Sequence, residues 1–149
     1  MQRTSVYLLP DRLLIAPSCP TSAGVFLFSE PYAVLPLGVS ALKLGEATEA
    51  ALSLSERTIP HPTDWKASAA LRLTAAGVKS EREFQVKAAL VEVSKEAEGL
   101  RIVPSHNGGS KGEARGFSSL VKAEIMIQPN CTADRLGVEI LGAFYQCTR

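Results

Sequence analysis

The chain has 149 residues, 46% of them hydrophobic and 21% charged, with 16 basic and 15 acidic side chains. That length suits one domain of roughly 150 residues, with enough apolar material to close a core without disulfides or a structural metal. The charges nearly cancel, to +1, and form no basic run, which argues against nucleic-acid binding by bulk charge.

Cys19, Cys131 and Cys147 fit no zinc or CxxC redox spacing, so a reducing cytoplasm is the expected setting. Residues 1–10 hold no apolar signal core, and runs such as Val25 to Phe28 fall far short of the ~20 residues of a membrane span.

The N-terminal third reads as four antiparallel strands: Ser5–Leu9, Arg12–Ala16, Gly24–Phe28 and Tyr32–Leu35. Each is a short apolar run bounded by Pro, Ser, Asp or Gly, and both Pro10-Asp11 and Ser29-Glu30-Pro31 are short enough for hairpin links. The period then changes. Ser40 is placed as an N-cap for a helix over 41–54, with Leu44, Ala47, Ala51 and Leu54 on one apolar face. A second helix enters through Pro60-His61-Pro62-Thr63-Asp64-Trp65, runs to about Ala76 and closes on Gly77. Ser80-Glu81-Arg82-Glu83 matches a capping box and starts a short third helix.

Strands return at Ala89–Val93 and Leu100–Pro104, a hairpin around a charged turn. Residues 105–116 read as a polar, Gly-rich loop, 121–127 as a half-buried strand by alternation, and Thr132 onward as a last helix carrying Leu136, Ile140 and Phe144. The sum is an α+β fold: one domain over 1–149, with an antiparallel or mixed sheet of about six or seven strands and three or four helices. One internal similarity stands out, since 40–45 and 132–137 align at an offset of 92, with Ser/Thr, Ala/Ala, Lys/Arg, Leu/Leu and Gly/Gly matched. A helical Gly costs about 1 kcal/mol relative to Ala, so its recurrence points to two similar strand-helix units whose glycines pack closely against the sheet.

No catalytic constellation assembles from the scarce residue types. The stretch 107–116 has the glycines of a phosphate loop, but Lys111 is followed by Gly112 and no helix, which fails the Walker pattern, and the dinucleotide pattern lacks its βαβ context. His106 sits beside Asn107 in the expected loop, and Cys19 is a candidate nucleophile without a local signature. No cluster supports a metal or any other cofactor.

The ordered set Pro10–Ala16, His61–Trp65, Ala76–Ser80, Asn107-Gly108-Gly109 and Gly116-Phe117, with the paired Leu-Gly helices, resembles a bacterial immunity-protein family of contact-dependent growth inhibition systems. The resemblance spans nearly the whole chain. It implies a small cytoplasmic protein, not an enzyme, that binds the toxic C-terminal domain of a large exported effector one to one. In such systems the toxin is commonly a nuclease, often one that cuts transfer RNA. Direct contact with nucleic acid, membrane or a small-molecule substrate is not expected.

The candidate toxin-binding residues are the acidic groups Glu81 and Glu83 at a helix start, Glu92, Glu96 and Glu98 on the hairpin, Asp64 with Trp65, and His106 with Asn107. A basic nuclease would favour an acidic inhibitor, so a chain of charge +1 must gather its carboxylates on one face. Two other readings stand beside this one: a small enzyme using His106 or Cys19, and a homodimeric structural module with Trp65 at its interface.

Overall fold

The computed structural model describes all residues 1–149. The elements, in chain order, are β1 (Gln2–Leu8), β2 (Arg12–Pro20), β3 (Phe26–Phe28), β4 (Ala33–Pro36), α1 (Ala41–Leu54), α2 (Trp65–Ala76), α3 (Glu81–Lys87), β5 (Ala89–Glu96), β6 (Gly99–Asn107), β7 (Phe117–Ser119), β8 (Ile125–Ile127) and α4 (Ala133–Phe144). The strands form one antiparallel sheet in the order β3-β2-β1-β5-β6-β7, with β4 also paired to β2 and β8 to β6.

The caps legible in the sequence act as expected. Ser40, Asp64, Ser80 and Thr132 each accept a hydrogen bond from the backbone N–H three residues on, and Gly77 closes α2 at φ 73°.

Ser29–Pro31 is not a hairpin link. β3 pairs with the Ser18–Pro20 end of β2 and β4 with its Arg12–Ile15 end, so the two are consecutive pieces of one interrupted edge strand. The far edge repeats the pattern, with β7 on Ser105–Asn107 and β8 on Leu100–Ile102 of β6. The 121–127 strand shortens accordingly, because 121–123 is a 3-10 turn at the break and only Ile125–Ile127 pairs. His106 and Asn107 also leave the loop: β6 runs on to Asn107, paired on one side by β7 and bridged through His106 to Thr148.

The two strand-helix units are larger than the sequence similarity showed. Each is a hairpin, a broken edge strand and a helix: β1-β2-β3-β4-α1 and β5-β6-β7-β8-α4. The pairing Val6↔Ile15 recurs 87 residues later as Val93↔Ile102, and Thr4↔Pro17 as Val91↔Pro104. Likewise Leu13↔Leu35 recurs as Leu100↔Ile127. The shift grows to 92 by the helices, through the longer loop after β6 and the turn before β8. A pseudo-two-fold axis therefore passes through the central β1-β5 pair at Ser5↔Glu92.

That axis explains the paired glycines, and it corrects their expected partner. A Cβ on Gly45 would stand 1.7 Å from the Ala133 carbonyl oxygen, and one on Gly137 would stand 1.8 Å from that of Ala41. The glycines let α1 and α4 touch each other, not the sheet. Leu44, Ala51 and Leu52 of α1, with Leu136, Ile140 and Ala143 of α4, then close the main core on Val6, Leu13, Ile15, Val91, Val93 and Ile102. Gly45 and Thr48 are buried as well, because α1 faces both the sheet and α4.

Side chains alternate across the sheet, so Tyr7, Leu9, Leu14, Ala16 and Leu90 point to the second face. There they pack with Ala76 and Val78, at and just after the end of α2, and with Phe84 of α3. Phe28, Phe84 and Phe117 surround the Tyr7 ring at centroid distances of 6.0, 4.8 and 6.1 Å. Burial in this cluster pushes the Tyr7 hydroxyl far above the ordinary phenol range.

Candidate interaction surface

The second face is covered over one half only. α2 and α3, the segment between the two repeats, lie on the half carrying Tyr7, Leu9, Leu14 and Leu90. Under the pseudo-two-fold axis these positions map onto Ser94, Glu96, Arg101 and Arg3, which form a polar floor in the open half. The alternation that buries Val6, Val91, Val93 and Ile102 on the first face sends Arg3, Ser5, Glu92, Ser94, Glu96 and Arg101 to the second. A depression of about 360 Å³ lies over this floor.

Its charges are unevenly satisfied. The Arg101 Nε donates to the Glu124 carboxylate, and the Arg3 guanidinium stacks over the Phe26 ring at 5.0 Å. The Ser94 hydroxyl donates to Glu96 Oε1 at 2.9 Å. Neither Glu92 nor Glu96 forms an ion pair, and Glu92 is exposed. Apolar groups rim the floor on both sides, Phe26 at 41% and Met126 at 45% exposure.

A second depression, about 530 Å³, lies between α3 and the loop after β6, and no hydrophobic side chain lines it. Arg82, Lys111 and Arg115 face it, and its one carboxylate, Glu81, is held by Arg72 Nη2 at 2.5 Å. The cleft is therefore basic. A third, fully apolar notch of about 350 Å³ is lined by Leu8, Leu13, Leu37, Leu141, Phe144 and Tyr145, the last 90% exposed.

The residues singled out in the sequence are scattered across these features. Glu92 and Glu96 come together on the polar floor, with Glu98 exposed at the adjoining β5-β6 turn. Glu83 is drawn inward: its carboxylate accepts from Lys87 Nζ at 2.7 Å and from the Lys79 N–H at 2.9 Å, contacts that hold it below the usual carboxylate range. Asp64 spends Oδ1 as the α2 cap, and Trp65, half exposed, meets His61 edge-on at 5.2 Å.

His106 Nδ1 lies 2.7 Å from Thr148 Oγ1. Asn107 is a structural tie: Nδ2 donates to the Gln85 and Ala88 carbonyls, and Oδ1 accepts from Gly109 N–H and Gln85 Nε2. Its amide has nothing left for a partner. The buried Cys19 thiol donates to the Leu54 carbonyl, and β1 and β5 separate its strand from that of His106.

Sequence reasoning missed Arg3, Ser94 and Arg101 on the floor and Arg82 in the cleft. The signal was present in the strands: the second-face positions Arg3 and Ser5 turn apolar at Tyr7 and Leu9, and Glu92, Ser94 and Glu96 follow the apolar Leu90. That change marks where cover begins.

A family model described as CDI immunity protein matches residues 2–147. The chain belongs to the CDI immunity protein family, CdiI. A CdiI chain thus shares its architecture with solved structures of low sequence identity. A Neisseria meningitidis protein of unknown function superimposes with a TM-score of 0.73 at 15% identity, covering 98% of this chain and 94% of that one. A chain of the CdiA-CT/CdiI toxin and immunity complex from Yersinia pseudotuberculosis gives 0.70 at 15% identity, covering 99% and 97%. A search of curated proteins returned no match. No helix of this CdiI chain is long and apolar enough to cross a membrane.

Proposed function

We propose that the chain, as one domain over 1–149, binds the toxic C-terminal domain of a cognate exported effector one to one in the cytoplasm and neutralises it. Family membership over residues 2–147 is the observation that carries this reading. The likeness in fold to a chain of the Yersinia pseudotuberculosis toxin and immunity complex supports it.

The toxin is a nuclease acting on RNA, such as transfer RNA. Glu92 and Glu96 on the second face make no ion pair within the chain, and with exposed Glu98 beside them they favour a basic partner of that kind. No catalytic step is assigned to this chain, and none is needed for a stoichiometric inhibitor.

The test is co-expression with the toxin domain encoded next to it. A 1:1 complex by light scattering, rescue of growth and intact transfer RNA on a denaturing gel are the expected results. Absence of both complex and rescue refutes the immunity role, whereas rescue from a toxin that leaves RNA whole refutes the nuclease assignment alone.

A further inference from the structure

We propose that the basic cleft between α3 and the loop after β6 is a binding site for a small anion carrying two or more adjacent phosphate groups. The proposal does not rest on the immunity reading, and its test uses the free protein.

The cleft is built before any ligand arrives. Arg82 and Gln85 come from α3, and Lys111 and Arg115 from the loop opposite. Buried Asn107 ties the two walls together: its Nδ2 donates to the Gln85 and Ala88 carbonyls at 2.7 Å, and its Oδ1 accepts from Gln85 Nε2 at 2.9 Å and from the Gly109 N–H at 2.8 Å. The loop closes at its base, where the Gly108 N–H donates to the Gly116 carbonyl and the Gly116 N–H to that of Gly109. A Cβ on Gly108 would stand 1.6 Å from the Ala114 carbonyl oxygen, so the closure requires glycine there. Walls fixed in this way spare a ligand the cost of ordering them.

The charges identify the ligand. Arg82, Lys111 and Arg115 line the cleft against the single carboxylate of Glu81, a net of +2, and exposed Glu113 of the same loop is not part of the lining. None of the three cations forms an ion pair, whereas Glu81 is already neutralised by Arg72, whose guanidinium stacks on the Phe84 ring at 4.6 Å. What remains unmatched is positive. Guanidinium groups grip phosphate oxygens in pairs, and a lysine adds a point charge. A peptide carboxylate brings one charge on an apolar stem, and no hydrophobic side chain lines the cleft to receive the stem. Adjacent phosphates bring several charges and no apolar part. No aromatic ring lines the cleft to stack a base, so the phosphates themselves are recognised. The volume of about 530 Å³ lies within the ~300–1,000 Å³ of small-ligand sites. The sequence of 107–116 lacks the phosphate-loop motifs because the site does not belong to that loop alone: it exists only where the fold sets Arg82 opposite Lys111 and Arg115.

The experiment titrates the full-length protein with sodium triphosphate at low ionic strength, followed by calorimetry and by backbone amide resonances. One site with a Kd of about 1 mM or tighter is expected, weakening by roughly fivefold or more when salt is raised to ~0.2 M. The shifted resonances should be those of Gln85, Gly109, Ser110 and Gly116. Arg82→Gln and Lys111→Gln, both at exposed positions, are expected to weaken binding by about tenfold and about fivefold with the thermal melt unchanged. Arg3→Gln, which removes a cation from the sheet floor, should bind within about twofold of wild type. Tri-glutamate should bind at least about tenfold more weakly than triphosphate. A Kd weaker than about 1 mM, or affinity that Arg82→Gln and Lys111→Gln leave unchanged, overturns the site. Shifts centred elsewhere in the chain do the same, and tri-glutamate binding as tightly as triphosphate overturns the phosphate assignment. Growth rescue by the wild-type protein reads toxin neutralisation separately, so failure of the anion site leaves the immunity role standing.

Discussion

Replacing Gly137 by alanine should destabilise the protein even though it improves the helix. In an open helix position the change is worth about 1 kcal/mol in favour of alanine. At Gly137 the new Cβ would lie 1.8 Å from the Ala41 carbonyl oxygen and 2.9 Å from its Cα, where ordinary contact begins near 3.4 Å. The obstacle is backbone, so α1 and α4 must part by more than an ångström, loosening the contacts of Leu44, Leu136 and Ile140 beneath them. Overpacking of this kind costs roughly 3 kcal/mol net, or a fall of about 10 °C in melting temperature for a chain of this size. Gly142 on the same helix has nothing within 4 Å of its notional Cβ, so Gly142→Ala should gain up to about 1 kcal/mol. Gly45→Ala should behave like Gly137→Ala, and the double variant should lose less than the two losses added, because the first separation already makes room for the second methyl. Urea unfolding of the four variants measures all of this. A Gly137→Ala protein as stable as wild type, or the same sign of change at Gly137 and Gly142, refutes the reciprocal helix contact.

Two further outcomes follow from hydrogen bonds that hold α3. Asn107→Ala removes the donor to the buried Ala88 carbonyl, at 2.7 Å, and the acceptor for the Gly109 N–H, and should cost about 2–3 kcal/mol in urea unfolding and speed hydrogen exchange at Gly109; unchanged exchange there would contradict the tie. The Glu83 carboxyl is held below its ordinary 4.5 by Lys87 and the Lys79 N–H, so its contribution is complete above the unfolded value and is lost as the pH falls through the depressed folded value. The amide resonance of Lys79 should therefore titrate below the ordinary glutamate value, and Glu83→Gln should remove that titration; a Lys79 amide that shifts at or above that value would show the bond is absent.

Elements whose ends are set by local chemistry were legible in the sequence. Ser40, Asp64, Ser80 and Thr132 bond backbone within three residues, and Gly77 supplies its own left-handed turn, so nothing distant is needed to place α1 to α4. Long-range choices were not legible. Whether Ser29–Pro31 joins a hairpin or interrupts an edge strand depends on the length of β2, whose nine residues accommodate both β3 and β4. The matched Leu-Gly pairs announced a repeat, but only the packed pair shows that each glycine meets the other helix's carbonyl. Of the site, Glu92 and Glu96 were visible as acidic residues on a hairpin. Arg3 and Ser94 were not, because a polar residue on an alternating strand looks the same whether water or a partner covers it.

The duplication also divides the two faces of the sheet between a closed core and a half-open surface. The first face is closed by both repeats' helices, and its fully buried leucines, isoleucines and valines carry the fold. The floor of the second face shares strands with that core, yet its side chains point the other way, and Glu92 is free of any partner within the chain. Surface substitutions of that sort change stability by about 0.5 kcal/mol or less. The near-neutral total of +1 hides an uneven distribution: Arg82, Lys111 and Arg115 collect at the α3-loop cleft, whereas on the floor Arg3 and Arg101 lie among Glu92 and Glu96 and the two signs are mixed.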